Sequence, residues 1–458
     1  MKTFFLLVFC LFVSISRADF ISAQKNYNNG DFEKAYNEYL ILAKFGNNKA
    51  QYNLAVMFVK GQGVGIDLVQ AYAWSKVSES NPAYEKLTKT IGGNLSKDQI
   101  IKATDLYQEY FKKYSLQNSK VLLGPIYQNN PDGSPIVKAY DDIIMDSTTA
   151  PQYPRKMAMN KIQGWVDLRF RIYPDGSVRD ISIIEEQPKG GFTKEAIKAI
   201  ETYRFSFEKD GEKFTIKEPR VATQRIDFKL RGYSTELNDK QQNYLVSLIN
   251  KANNGDINAQ YSYAYLYDTY LHKKGKIEAK QVNQWLYNAA IDGITGAQYR
   301  LGMNIYFGES CKVEKQKGLD WIMQAAQIGN AGAQYMAYNM LNNKTVINQS
   351  KQPASYWLEQ AALNESNIAQ LIYAKMITLN QSPSQEQLAL ATQYLSNYGK
   401  KVYKTIQWYQ INAMLYNKKN KHLKALSAIN KAIKKAKKVG WDLTELQQQK
   451  NMILNNKA

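Results

Sequence analysis

Residues that could carry out catalysis are sparse in this 458-residue chain. Its two histidines, His272 and His422, lie far apart beside lysines, and no metalloprotease, serine-hydrolase or P-loop motif occurs. Glu185 and Glu186 form a carboxylate pair of the type used in acid–base catalysis, but neighbouring strand residues point to opposite faces. The glycine-rich segment 61–65 suggests a phosphate-binding loop, yet it joins two predicted helices. We therefore expect no catalytic residue, cofactor or metal, and predict that the protein is not an enzyme.

The N-terminus has the pattern of a secretion signal. Lys2 is followed by an apolar run from Phe4 to Ile15, and residues 16–18 place serine and alanine at the −3 and −1 positions of a cleavage site. A helix over that apolar run is about 18 Å long, against about 30 Å of bilayer hydrocarbon. We therefore predict a signal peptide over residues 1–18 and a location in the periplasm. The alternative is an inner-membrane anchor formed by residues 4–15.

The mature chain would keep one cysteine, Cys311, and a large positive charge. A single cysteine excludes an intramolecular disulfide and a C-x-x-C metal or redox site. The net charge of +20 becomes +18 when Lys2 and Arg17 leave with the signal. Such a charge can attract an anionic membrane surface, acidic polymers or acidic proteins. We expect no nucleic acid partner because the protein is predicted to be exported, and the simplest interpretation is that the lysines keep a repeat surface soluble.

An internal repeat dominates the second half of the chain. An Ala-Gln pair, usually followed by tyrosine, recurs at steps of 36 to 38 residues, and a tryptophan followed by two alanines recurs at steps of 36. The alanines begin at Ala259, Ala297, Ala333 and Ala369, and the tryptophans are Trp285, Trp321 and Trp357. The same unit occurs once near the N-terminus, with Ala50 and Trp74. The offset is 24 residues from Ala297 to Trp321, from Ala333 to Trp357 and from Ala50 to Trp74. It predicts helix–loop–helix units that stack as a solenoid, with the tryptophans in the core.

This pattern resembles the Sel-one-like repeat, a relative of the tetratricopeptide repeat that builds α/α solenoids for protein contacts. We expect an N-terminal repeat with a capping helix over residues 19–115, the cap beginning at Ser96. A turn-rich linker should follow over 116–144. The main solenoid should span 240–400, and a helical hairpin of tetratricopeptide type 401–458.

The segment between the helical blocks has the pattern of a small antiparallel sheet. Apolar and polar residues alternate from Gln163 to Tyr173, and Pro174-Asp175-Gly176 predicts a hairpin turn that needs the positive φ of glycine. A returning strand follows, with its alternation slipping between Val178 and Ile181. A helix after Thr193 and a last strand over residues 221–230 complete a predicted three-stranded sheet with one helix.

The order of these residues resembles the C-terminal domain of the TonB family, over residues about 145–231. The family implies a structural role for a set of proline, glycine and aromatic residues: Pro154, Gly164, Phe170, Gly176, Phe192, Tyr203, Phe205 and Phe228. It also implies that a partner peptide adds a strand to the sheet edge. By position, the partner-binding candidates are Gln152, Tyr153, Thr223, Arg225 and Asp227, with Gln152 and Tyr153 expected to be exposed at the entrance of the domain.

The complete pattern predicts an α+β multidomain protein in which α/α solenoid repeats flank a small TonB-like module. We expect a periplasmic, non-enzymatic adaptor that binds envelope proteins, including outer-membrane TonB-dependent receptors as candidates. One alternative is a TonB-family energy transducer, although the chain has a short N-terminal apolar run and only 11 prolines, hence no proline-rich spacer. Another is a scaffold or regulator of a periplasmic cell-wall enzyme.

Overall fold

The computed structural model of the protein describes residues 20–44, 46–79, 82–115, 118, 123–127, 142–230, 239–269, 271, 277–342, 346 and 352–456. The predicted signal peptide, most of the predicted linker and His272 lie outside these residues. The predicted α+β fold class is confirmed, because helical repeats precede and follow a small β-rich module along the chain.

The N-terminal block is helical. It contains α1 (Phe20–Asn28), α2 (Phe32–Lys44), α3 (Asn48–Lys60), α4 (Leu68–Ser78), α5 (Glu85–Gly92) and α6 (Lys97–Tyr114), with a 3₁₀ turn at Pro82–Tyr84. Ser96 caps α6 as predicted. Its hydroxyl accepts a hydrogen bond from the backbone N–H of Gln99 and its own N–H donates to the Gln99 side chain, which is a capping box.

The β-rich module contains two sheets. Its elements are β1 (Ile143–Ser147), α7 (Arg155–Met159), β2 (Gly164–Ile172), β3 (Val178–Gln187), α8 (Thr193–Ile200), β4 (Arg204–Lys209), β5 (Glu212–Phe214) and β6 (Arg220–Phe228). The predicted sheet has the order β3-β2-β6 and is antiparallel throughout. A second antiparallel sheet, in the order β1-β4-β5, was not predicted.

The slip in the alternation of β3 corresponds to a bulge. Arg169 of β2 pairs with Ser182 of β3, whereas Arg171 pairs with Arg179, so the register shifts between these two pairs. Asp180 lies in this interval with a φ of 53°, in the left-handed region where aspartate is tolerated better than most residues. The bulge places Asp180 in a buried position, where 6% of its surface is exposed.

The chain ends in a second helical block. It contains α9 (Asp239–Asn253), α10 (Ile257–Thr269), α11 (Ala279–Ile291), α12 (Thr295–Phe307), α13 (Lys315–Gln327), α14 (Ala331–Asn342), α15 (Ala354–Leu363), α16 (Asn367–Leu379), α17 (Gln385–Lys401), α18 (Ile406–Lys418), α19 (His422–Lys438) and α20 (Thr444–Asn455). Among the helices of the described segments, none is long and apolar enough to cross a membrane.

The chain divides into two compact units. One combines residues up to 138 with residues 239–354, and the other combines residues 139–238 with residues 355–458. The β-rich module therefore belongs to the same unit as the C-terminal helices α16 to α20. In the first unit, residues 123–127 of the linker lie along the repeats: the Trp321 indole N–H donates to the Leu123 carbonyl over 2.8 Å, and Lys317 Nζ donates to that of Gly124 over 3.0 Å.

The repeat signature has a structural cause that its periodicity alone did not explain. In each of the five Ala-Gln pairs of the repeat signature the glutamine is buried, and its side-chain N–H donates to the carbonyl oxygen of an alanine eight residues earlier, at the end of the preceding helix. The distances are 3.0 to 3.1 Å for Gln51, Gln260, Gln298, Gln334 and Gln370. The glutamine thus caps one helix from the next and fixes how consecutive helices meet.

The signature tryptophans occupy the cores, as predicted. Trp74, Trp285, Trp321 and Trp357 each expose 4% of their surface or less. Trp285 makes an edge contact with Tyr263 of α10, and Trp321 makes one with Tyr287 of α11, two helices before its own. Cys311 is also buried, and burial raises the pKa of its thiol to about 12.

Replacing a signature glutamine should weaken the solenoid. Gln260 donates to the Ala252 carbonyl and accepts from the Asn288 amide, each over 3.0 Å. Gln260→Met keeps the volume but leaves the Asn288 donor without this acceptor, so we expect a loss of about 1–3 kcal/mol in the free energy of unfolding. Urea denaturation of the full chain measures it. Gln447→Met at an exposed position of α20 is the control and should change stability by less than about 0.5 kcal/mol.

Candidate functional site

The candidate site is the outer edge of β6. This strand pairs with β2 along its whole length, from Arg220 opposite Ile172 to Phe228 opposite Gly164. Within the described residues, no strand pairs with its other side. A strand with one unpaired side offers a row of backbone N–H and C=O groups that an extended peptide can use.

The direction of these backbone groups follows from a bond at the end of the strand. The N–H of Leu230 donates to the Gln163 side chain, on the β2 side, over 2.9 Å. Because the inward and outward directions alternate along a strand, Thr223, Arg225 and Asp227 direct their N–H and C=O groups outward. The Arg225 carbonyl is consistent with this, since it accepts a hydrogen bond from the Gln224 side chain over 2.8 Å instead of one from β2. The three candidates on β6 are therefore the residues whose backbone faces the free edge.

The side chains of these three residues differ in how far they are available. Thr223 and Asp227 are exposed, and Asp227 lies 3.4 Å from the ammonium of Lys229. Arg225 is half-buried: its Nε donates to Asp167 over 2.6 Å, and its guanidinium stacks 4.0 Å above the ring of Trp165. Arg225 therefore braces β6 against β2 from across the sheet, whereas Thr223 and Asp227 can meet a partner with their side chains.

Of the two entrance candidates, only Gln152 is exposed as expected. Tyr153 is half-buried, because its ring makes edge contacts with Phe192 and Phe228 at 5.6 and 5.9 Å between centroids. Its hydroxyl donates to the Ile162 carbonyl over 2.6 Å, and burial raises its pKa. Tyr153 thus anchors the entrance segment to the module, and Pro154 follows it directly at the start of α7.

The residues predicted to be structural lie in the module core. Phe170, Phe192 and Phe228 expose 2% or less, Tyr203 exposes 9%, and Phe205 is half-buried with its ring 6.0 Å from that of Phe170. Gly164 permits a close approach, since a Cβ there would overlap the Gln187 carbonyl and lie 2.6 Å from Phe192. Gly176 adopts a φ of 72° in the predicted turn.

The C-terminal helices hold the module through buried polar contacts, which we call the module–hairpin junction. Its members are Asp180, Glu201 and Arg204 of the module and Gln407, Lys435 and Val439 of the helices. The Gln407 amide pairs with Asp180 twice, accepting from its backbone N–H and donating to its carboxylate, each over 2.8 Å. The Arg204 guanidinium donates to the Val439 carbonyl. These polar groups are largely buried, so each contact replaces hydrogen bonds that the groups would make to water if the module and the helices were apart.

Glu201 is the most deeply buried charge of the junction. One of its oxygens accepts from the N–H of Ile406 at the start of α18 over 2.5 Å, and the other lies 3.5 Å from Lys435 Nζ. Burial raises the pKa of the Glu201 carboxyl, and this pair and the N–H bond oppose the rise only in part. Burial lowers the pKa of Lys435, but Glu201 and the Tyr403 hydroxyl together bring it above its usual value.

Sequence reasoning missed both the second sheet and the junction. The second sheet had a recognisable signal: Asp210-Gly211 separates β4 from β5, and both residues have positive φ, as a two-residue hairpin turn requires. The junction had only a weak one, the slip in alternation next to Asp180. Among the described residues, no cluster of three or more histidine, cysteine or acidic side chains could hold a metal ion.

Comparison with known proteins adds a family for the module. The family described as "Gram-negative bacterial TonB protein C-terminal" matches residues 149–230, which confirms the resemblance of this region. Protein TonB of Escherichia coli (strain K12) is 30% identical over 91 residues, which are 20% of this chain and 34% of that protein. The match thus spans about a third of the relative's length.

Solved structures resemble both parts of the chain. The TonB C-terminal domain of Pseudomonas aeruginosa is 31% identical, with a TM-score of 0.19, over 20% of this chain and 92% of that one. A Sel1 repeat protein from Oxalobacter formigenes is 22% identical, with a TM-score of 0.36, over 44% of this chain and 84% of that one. The protective antigen c5321 of uropathogenic Escherichia coli, which has an SLR fold, is 14% identical, with a TM-score of 0.30, over 96% and 80% of the two chains.

Proposed function

We propose that this protein is a periplasmic, non-enzymatic adaptor that holds a partner peptide by strand addition at β6. The observation that carries the proposal is the outward row of backbone groups at Thr223, Arg225 and Asp227 on a strand that β2 pairs from one side only. A peptide laid along this row would gain main-chain hydrogen bonds at alternate residues, which provide affinity for many sequences.

Selectivity would come from the side chains beside the row. Thr223 and Asp227 are exposed on the same sheet face, since they are four residues apart on a strand. Arg225 between them is held against β2 by Asp167 and Trp165, so it would offer the peptide its backbone groups and not its side chain. The peptide must also displace the Gln224 side chain from the Arg225 carbonyl, which exchanges one hydrogen bond for another.

The two kinds of domain support an adaptor rather than a catalyst. The module offers one peptide-binding edge, and α/α repeats of the kind seen here present extended surfaces to other proteins. The TonB relationship of the module supports envelope proteins as partners, with the N-terminal peptides of outer-membrane receptors as the leading candidates. The helical repeats would then bring a second envelope protein to the same complex.

Site-specific photo-crosslinking in cells tests this proposal. A photoreactive amino acid at position 223 or 227 should capture the same partner segment, whereas one at the exposed Lys189 should not. Mass spectrometry of the linked peptide identifies the partner. An outer-membrane receptor caught through its N-terminal peptide supports strand addition to receptors, and a soluble envelope protein supports a scaffold. Equal capture from all three positions, or links to this chain alone, contradicts the proposed edge.

A further inference from the structure

One segment of the chain has an extreme charge. Between Glu386 and Asp442 there are 12 lysines and no arginine, aspartate or glutamate, so this stretch accounts for more than half of the net charge of +20. It covers most of α17, all of α18 and α19, and their connections. The proposed peptide grip uses none of these lysines, and the module–hairpin junction uses Lys435.

The structure gathers five of these lysines on one side of α19. Lys424, Lys431, Lys434, Lys437 and Lys438 are all exposed, and at 100° per residue they fall within an arc of about 140°. The opposite side of the helix is apolar and already buried, through Ala425, Ala428, Ile429, Ala432 and Ala436. The lysine side, which we call the lysine face, is therefore fixed outward by the packing of its own helix.

The lysine face lacks neutralising partners. In the part of the chain that the structure describes, the ion pairs of this segment are Lys401 with Glu365 and Lys435 with Glu201, and none involves the five lysines. Lys434 also lies three or four residues from Lys431, Lys437 and Lys438, where like charges on a helix repel. An anionic surface would relieve that repulsion as well as attract each charge.

We propose that the lysine face binds a bilayer surface rich in anionic phospholipid. Three features favour a membrane over a folded partner or a nucleic acid. The charges form a line of about 21 Å from Lys424 to Lys438, which suits a flat surface. They are all lysines, which are scarce in protein–protein interfaces. Their compact, well-hydrated ammonium groups also do not form the bidentate hydrogen bonds to phosphate that arginine forms. Leu423, 74% exposed, adjoins the line and can enter the headgroup region.

Vesicle sedimentation with the full chain tests the lysine face. The probes are vesicles of phosphatidylcholine alone and of phosphatidylcholine with phosphatidylglycerol. We expect binding to the anionic vesicles only, decreasing as salt rises. Replacing the five lysines by glutamine should weaken it about a thousandfold or more, since each basic residue near an anionic surface contributes roughly one factor of five. A variant with only Lys424→Gln, Lys431→Gln and Lys438→Gln should be intermediate.

A variant with the same loss of charge elsewhere is the control. Lys34, Lys44, Lys97, Lys102 and Lys112 are exposed on α2 and α6, and changing all five to glutamine should leave vesicle binding nearly unchanged. Circular dichroism confirms that each variant is folded. The proposal is overturned if the wild-type chain ignores anionic vesicles, or if both variants weaken equally. It is also overturned if duplex DNA, at the same concentration of negative charge as the anionic vesicles, binds the wild-type chain more tightly than the vesicles do.

Discussion

Gln224→Pro should unfold the β-rich module or lower its stability by about 3 kcal/mol, whereas Thr223→Pro should leave it folded and abolish partner binding. Both residues are exposed on β6, so neither change removes a buried side chain. They differ in the direction of the backbone N–H. That of Gln224 points to β2, opposite Leu168, and proline removes a ladder bond there. That of Thr223 points outward, where proline removes a donor that only a partner would use.

Two measurements separate these effects. Hydrogen exchange followed by mass spectrometry should show loss of protection across β2 and β3 for Gln224→Pro and not for Thr223→Pro. Photo-crosslinking from position 227 should then fail for Thr223→Pro although its module is intact. Equal destabilisation by the two prolines would mean that β6 is paired on both sides. A folded Thr223→Pro variant that still captures the partner would remove strand addition as the binding mode.

Lys435→Met should destabilise the protein by about 2–3 kcal/mol at neutral pH. The change leaves the Glu201 carboxylate buried, with 7% of its side chain exposed, and without its cation. Removing one member of a buried pair costs more than the pair itself contributes. Since 32% of the Lys435 side chain is exposed, solvent screening places the loss below that of a fully buried pair. Urea denaturation at pH 7 measures it.

The matched change on the other side of the pair should behave differently. Glu201→Gln keeps an oxygen for the Ile406 N–H and removes the buried charge, so we expect it to be neutral or stabilising. Because the pKa of Glu201 is raised on folding, the wild type loses stability as pH rises from about 4.5 through the folded pKa, and the glutamine variant does not. The advantage of Glu201→Gln should therefore grow with pH. The double variant Glu201→Gln/Lys435→Met should be more stable than Lys435→Met alone, because no buried charge is left unpaired. Equal stability of these two variants would disprove this account.

The junction also gives a physical reason why the proposed binding edge is β6 and not β3. On the opposite side of the sheet, β3 packs against α16, and its bulged Asp180 is bonded to Gln407 of α18. The C-terminal helices thus occupy the β3 side of the module within the same unit. The family resemblance left open whether the β6 edge is free or covered, and within the described residues no strand pairs with its outer side.

The sequence by itself determined the repeats and the main sheet, and the candidates on β6 came from the family resemblance. Steps of 36 to 38 residues between Ala-Gln pairs require one unit to stack on the next, and the strict alternation of β2 requires one buried face. These patterns are local, repeated or periodic, so they can be recognised without knowledge of the rest of the fold. The second sheet could also have been predicted from the sequence, because Asp210-Gly211 is a short-range hairpin signal.

Only the tertiary structure decided which side chains are free to bind. Arg225 and Tyr153 fit the pattern of contact residues, but Arg225 is held by Asp167, 58 residues earlier, and Tyr153 packs on Phe192 and Phe228. Asp180 meets Gln407 across 227 residues. Contacts over such separations depend on how whole elements pack, and no local pattern of residue types encodes them. The sequence determined which surfaces exist, and the packing of distant helices determined which of them remain open.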